Sequence, residues 1–86
     1  MSDTLKTVMI SIPSIKAIKE FVGIVSNFSV NTTLKSGRHV VDAKSIMGIF
    51  SLDVSKPIEL TIELNDNGVD EREFALMDAI KPFIVT

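Results

Sequence analysis

From Ile58 to Leu64 every second residue is a large aliphatic, Ile58, Leu60, Ile62 and Leu64, and the residues between them are Glu59, Thr61 and Glu63. An extended segment with that alternation has one apolar face and one wet face. It belongs in a sheet covered on one side only, which favours antiparallel pairing. The same period recurs twice earlier in the chain. Val8, Ile10 and Ile12 alternate with Met9 and Ser11, and Phe28, Val30, Thr32 and Leu34 alternate with Ser29, Asn31, Thr33 and Lys35. Ser36-Gly37 supplies turn chemistry before Arg38 to Ala43 continues as a further strand, so a hairpin is expected there.

The stretches between the strands carry the helical period. Pro13 stops the first strand and Ser14 can cap a helix in which Ile18, Phe21, Val22 and Val25 fall on one stripe. A short helix is expected from about Ser45 to Leu52. Asn65-Asp66-Asn67-Gly68 reads as a turn, and Asp70 with Glu73 reads as a capping box for a last helix with Leu76, Ile80 and Phe83 on its apolar stripe. Pro82 cannot donate to the Asp78 carbonyl, so regular helix should end near Ile80 or Lys81. The order βαββαβα predicts an α+β fold, an open-faced sandwich with a four-stranded antiparallel sheet and three helices on one face. Periodicity fits equally a ferredoxin-like arrangement with an extra C-terminal helix. A last helix packed on the opposite side of the sheet from the first would favour that rival.

At 86 residues one domain spanning the whole chain is expected. With 45% hydrophobic and 23% charged residues and a formal net charge of -2, the composition is that of an ordinary globular protein, with no general attraction to nucleic acid or anionic membrane. There is no cysteine, so disulfides and thiolate metal sites are excluded. No secretion signal or membrane span is legible, and a cytoplasmic location is expected. Asn27-Phe28-Ser29 and Asn31-Thr32-Thr33 match the glycosylation triplet, most simply by coincidence.

The segment Lys44-Ser45-Ile46-Met47-Gly48-Ile49-Phe50-Ser51-Leu52, preceded by Ala43, resembles the regulatory serine segment of the HPr family, the histidine-containing phosphocarriers of the bacterial sugar phosphotransferase system. Phe21-Val22, with Phe28 beyond it, adds a fainter match, and the element order follows the family from about Thr7 to Val85. The resemblance implies an HPr-like open-faced sandwich and puts Ser14 where the family carries its phosphorylated histidine and Lys16 where it keeps an arginine. Ala17 stands in place of the following proline, and the approach to the histidine is shortened to Ile12-Pro13. In lacking the histidine while keeping the serine, the chain is similar to the catabolite-repression HPr-like proteins.

The resemblance makes Ser45 the expected site of regulatory phosphorylation, at a helix start where backbone N–H groups favour added negative charge. As a plain cap it would do no more than begin the helix. Ile46, Met47 and Phe50 cannot all point inward from one short helix, and they are expected to form a docking patch for protein partners, with Met47 the most exposed. The competing arrangement has Phe50 half covered by the loop from Asp53 to Pro57. Ser14 and Lys16 mark the altered family active site and a weaker candidate for anion binding. His39, the only histidine, reads as a solvated strand residue, and Glu59 and Glu63 as a solubilising face rather than an acid–base pair.

The expected function is non-enzymatic regulation or adaptation without histidine phosphotransfer. The partners implied by the resemblance are an HPr kinase and a catabolite-control transcription factor, and no cofactor or metal is called for. Two rivals stand beside it: a working phosphocarrier that would have to use His39, and a plain ferredoxin-like binding module.

Overall fold

A computed structural model describes residues 5–63 and 71–85. The elements are β1 (Leu5–Ile10), α1 (Ile15–Val25), β2 (Asn31–Ser36), β3 (His39–Asp42), α2 (Ile46–Phe50), β4 (Ile58–Glu63) and α3 (Glu71–Ile80), followed by a 3₁₀ turn over Lys81–Phe83. The strands form one four-stranded sheet in the order β1-β4-β2-β3, antiparallel at every junction.

The alternation in β4 does what its sequence demands. Ile58, Leu60 and Ile62 are buried, while Glu59 and Thr61 are half-buried and Glu63 is exposed on the other face. Register carries the same division across the sheet. Leu34 lies opposite Leu60 with Val8 on the far side, and Glu59 on the open face lies between Lys35 and Met9. Ile18, Phe21 and Val25 of α1 close the apolar side together with Ile49, Leu76 and Ile80 from the other two helices. The ring of Phe21 meets that of Phe83 edge-on at 5.9 Å. Because α1 and α3 pack against each other on one face of the sheet, the fold is the open-faced sandwich and not the ferredoxin-like alternative.

Four boundaries differ from the sequence expectation, each for a local reason. The first strand starts earlier, at Leu5, and ends at Ile10, so Ile12 is buried from the loop beyond it. β2 begins at Asn31 rather than Phe28, because Asn27 and Phe28 donate their N–H groups back to Ile24 and Val25 in tight turns ending α1. β3 runs from His39 to Asp42 rather than from Arg38 to Ala43. Gly37, at φ +62°, and Arg38 form the two-residue turn, and the Asp42 carboxylate accepts the Lys44 N–H and turns the chain away. α2 stops at Phe50 because Ser51 and Leu52 donate to Gly48 and Ile49 in a tightened last turn.

The helical stretch after β4 ends at Ile80, as Pro82 requires. Leu64, the Asn65–Gly68 turn and the Asp70 cap lie outside the described residues, as does the Glu73 side chain. Thr32 is the buried polar side chain of the described core, and its hydroxyl has no hydrogen-bond partner among the described residues.

Candidate functional site

The turn from β3 into α2 is built by three short-range bonds. The Asp42 carboxylate accepts the Lys44 N–H at 2.9 Å, and the Asp42 carbonyl accepts the Ser45 N–H at 3.0 Å. Ser45 itself is extended, φ -99° and ψ 100°, and its hydroxyl oxygen accepts the Gly48 N–H at 3.2 Å. It is therefore the N-cap of α2 and remains half-buried.

Lys44 turns its ammonium onto the Phe28 carbonyl, just past the end of α1, at 2.7 Å. This tie joins the Ser45 segment to the α1–β2 connection. Nothing in the residue types signalled it, since its partner is a backbone carbonyl on a distant loop.

Along α2, Ile49 is buried and pins the helix to the core, with Leu52 just beyond it also buried. Gly48 lies so close to β3 that a Cβ there would sit 3.1 Å from the Val41 Cβ and 3.2 Å from the Ser45 hydroxyl oxygen. With that face committed, Met47 is 76% exposed and Phe50 45% exposed, while Ile46 is half-buried against the core. Two of the three expected docking side chains thus face outward, and Ile46 does so only in part. In the following loop the Ser55 hydroxyl, and then its N–H, donate to Asp53 and hold that carboxyl below its usual range.

The start of α1 is a second capped terminus. Ser14 is extended and exposed, its hydroxyl oxygen accepts the Ala17 N–H at 3.1 Å, and its carbonyl accepts the Ile18 N–H at 3.0 Å. Lys16 is exposed, and so is Ile15, at 62%. Ile15 has no earlier signal except its position off the Ile18-Phe21-Val25 stripe. Ser14 stands at one end of α1, whereas the Ser45 segment is tied to the loop after the other end, so the two serines are held apart by a helix ~16 Å long.

His39 is exposed and lies at the same end of the sheet as the α1 start, but on the opposite edge strand. From β1 to β3 is three strand spacings, ~14 Å. On the open face Asn31 donates its side-chain amide to Glu63 at 3.0 Å. Among the described residues no group of three histidine, cysteine or carboxylate side chains is placed to hold a metal ion, and no helix is long and apolar enough to cross a membrane.

A small one-faced antiparallel sandwich with this strand order is the fold of the phosphotransferase-system phosphocarriers. The family model described as the PTS HPr component phosphorylation site matches residues 14–85. Among solved structures, HPr-C-His from Thermoanaerobacter tengcongensis is 32% identical over 92% of each chain, with a TM-score of 0.66. A phosphocarrier protein HPr from Bacillus anthracis is 28% identical over 88% of this chain and 94% of its own, with a TM-score of 0.64. Comparison with curated protein sequences gives no significant match. The chain belongs to the HPr family of the phosphotransferase system, whose members are carriers that work through other proteins rather than catalysts.

Proposed function

We propose that this chain is a single-domain HPr-family regulator or adaptor of the cytoplasm that has given up histidine phosphotransfer and is controlled by phosphorylation of Ser45. One observation carries the reading. The start of α1, where the family relationship points for a phosphorylated histidine, carries Ser14, Ile15 and Lys16, while the only histidine stands on β3 at the other edge of the sheet.

The chemistry argues against relay through Ser14. A phosphoryl group on imidazole has high transfer potential, whereas a serine ester is a poor donor. Lys16 can hold a phosphate as a point charge but lacks the planar fork of a guanidinium. Ser14 and Lys16 then mark an altered active-site position with at most a residual affinity for anions.

Ser45 is supported as the regulatory position by its half-buried place at the start of α2 and by exposed Met47 and Phe50 close by in sequence. Phosphorylation would add about -1.5 to -2 charge and three acceptor oxygens beside the Gly48 N–H. The proposed partners are an HPr kinase and, for the modified form, a catabolite-control transcription factor docking over Met47, Phe50 and the exposed part of Ile46.

The test is intact-mass and fragment mass spectrometry after incubation with ATP and an HPr kinase, with Ser45→Ala as control. Phosphate confined to Ser45 supports the reading, and none, from a kinase active on ordinary HPr, removes the kinase switch. In a parallel experiment, label from phosphoenolpyruvate and the first enzyme of the system should not reach the chain. Label that does reach it and is lost in His39→Ala would establish a phosphocarrier with a displaced site.

A further inference from the structure

α2 is five residues long, too short to hold itself as a helix, since an isolated helix of fewer than about 12 residues is marginal in water. Ser45 at its start keeps its place only as firmly as its surroundings hold it. The Ala43 N–H on the Thr32 carbonyl fixes the chain on one side of Ser45, and buried Ile49 fixes it on the other. Between them most bonds are local. The Lys44 and Ser45 N–H groups both return to Asp42, and the Gly48 N–H returns to the Ser45 hydroxyl, which sets the shape of the turn but not its position on the rest of the protein.

The Lys44 side chain reaches further. Its ammonium donates to the Phe28 carbonyl at 2.7 Å, sixteen residues back in the chain and in partly buried surroundings. The acceptor is itself held, because the Phe28 N–H donates to Val25 at 3.1 Å and its side chain packs against the core. α1 has no basic residue in its own last turn, so Lys44 brings a positive charge just past the negative end of that helix. An ionised donor makes this the stronger kind of hydrogen bond, and partial burial limits competition from water. Adjacent Cα atoms are about 3.8 Å apart, so a fixed Lys44 leaves the Ser45 backbone little room to move.

We propose that Lys44 is the positioning residue for phosphoryl transfer to Ser45, a role that rests on Ser45 being the kinase's acceptor. The tie to Phe28 keeps the Ser45 segment in the arrangement that the kinase binds. In the reaction the Ser45 Oγ forms a bond to the γ-phosphorus of ATP, and that phosphorus loses its bond to the β–γ bridging oxygen. ADP leaves with the electron pair, and the hydroxyl proton passes to a base on the kinase. Lys44 takes no part in these bond changes. It sets the fraction of molecules ready to bind, and when that fraction falls the apparent affinity falls with it while the bound complex reacts as before. The mark of the role is therefore a change in KM and not in kcat.

The test is steady-state phosphorylation of the full chain by an HPr kinase with ATP, together with amide hydrogen exchange on the same proteins. Lys44→Met keeps an apolar stem and removes the donor, Lys44→Arg keeps a charged donor, and Lys35→Met removes the same charge from exposed β2. Lys44→Met should raise KM about tenfold at an unchanged kcat. It should also speed exchange of the Ser45 and Gly48 N–H groups by a similar factor, while exchange at Leu60 in β4 stays as it is. Lys44→Arg should recover most of both effects, and Lys35→Met should show neither. An unchanged KM in Lys44→Met overturns the proposal. So does a raised KM with exchange at Ser45 and Gly48 unchanged, which would mean that the kinase reads the ammonium directly. Exchange that rises equally at Leu60 would make Lys44 a general stabiliser and overturn it as well, as would a Lys44→Arg variant no better than Lys44→Met. No phosphate on the unmodified chain, from a kinase active on ordinary HPr, removes Ser45 as acceptor and this role with it. Phosphate on Ser45 with KM unmoved in Lys44→Met removes the role of Lys44 alone.

Discussion

Ser14 and Ser45 do the same local work, each in extended backbone with its hydroxyl oxygen on the third N–H of the helix it starts. Replacing either by alanine orphans that donor and should cost ~1 kcal/mol in urea unfolding. Equal losses for Ser14→Ala and Ser45→Ala, with phosphate acceptance lost only in the second, would separate capping from regulation. Thr32 presents the opposite case, a buried hydroxyl with nothing to bond among the described residues. Thr32→Val keeps the shape and removes the stranded group, so the variant should be more stable by ~1 kcal/mol. A loss on thermal unfolding would mean the hydroxyl is satisfied.

Asp53 supplies the pH-dependent residue. Ser55 holds its carboxyl below the usual range, so the folded chain favours the charged form. The stabilisation is present above the unfolded value, about 3.9, and is lost as pH falls through the lower folded value. Carboxyl NMR should find Asp53 titrating below that reference, and Ser55→Ala should move it upward. An unmoved titration would show that the hydroxyl is not the cause.

At the scale of elements, α1 and α2 use glycine differently. At Gly23 on the outer part of α1 a Cβ would meet nothing within 4 Å, whereas at Gly48 it would press on the Val41 side chain at 3.1 Å. Gly23→Ala gains helix propensity without a contact to disturb and should stabilise the chain by roughly 0.5–1 kcal/mol. At Gly48 the same gain is opposed by a Cβ fixed to the β3 backbone, so Gly48→Ala should be the less stable of the two variants. Thermal melts of the pair in the reverse order would show that α2 does not lie against β3 as closely as described.

For the molecule as a whole, the junction of α1 with the sheet and the 3₁₀ turn after α3 brings distant segments into one packed contact. Phe21 is fully buried and edge-on to Phe83, joining first helix, sheet and C-terminal turn. Phe21→Ala should cost ~3–5 kcal/mol. Against a total of ~4–13 kcal/mol for a chain of this length, that loss would leave many of the molecules unfolded at the lower limit. Denaturant titration giving a cost within ~1 kcal/mol of wild type would mean that this junction does not anchor the core.

The sequence by itself determined the elements and the faces they bury, because period and turn chemistry are local: Ile58, Leu60 and Ile62 inward, Ile18, Phe21 and Val25 inward, Ser45 and Ser14 as caps. It also carried the family relationship, in the residues from Lys44 to Leu52. Ends of elements were less legible, since Phe28 and Ala43 have strand-like neighbours but give their N–H groups to turns and a final rung. Only the tertiary structure decided that the first and last helices share one face, which excludes the ferredoxin-like arrangement. It alone ties Lys44 to Phe28, separates Ser14 from Ser45 along α1, and sets His39 across the sheet from the start of that helix. These are relations between segments far apart in the chain, fixed by how the apolar faces fit together, and no local pattern encodes them.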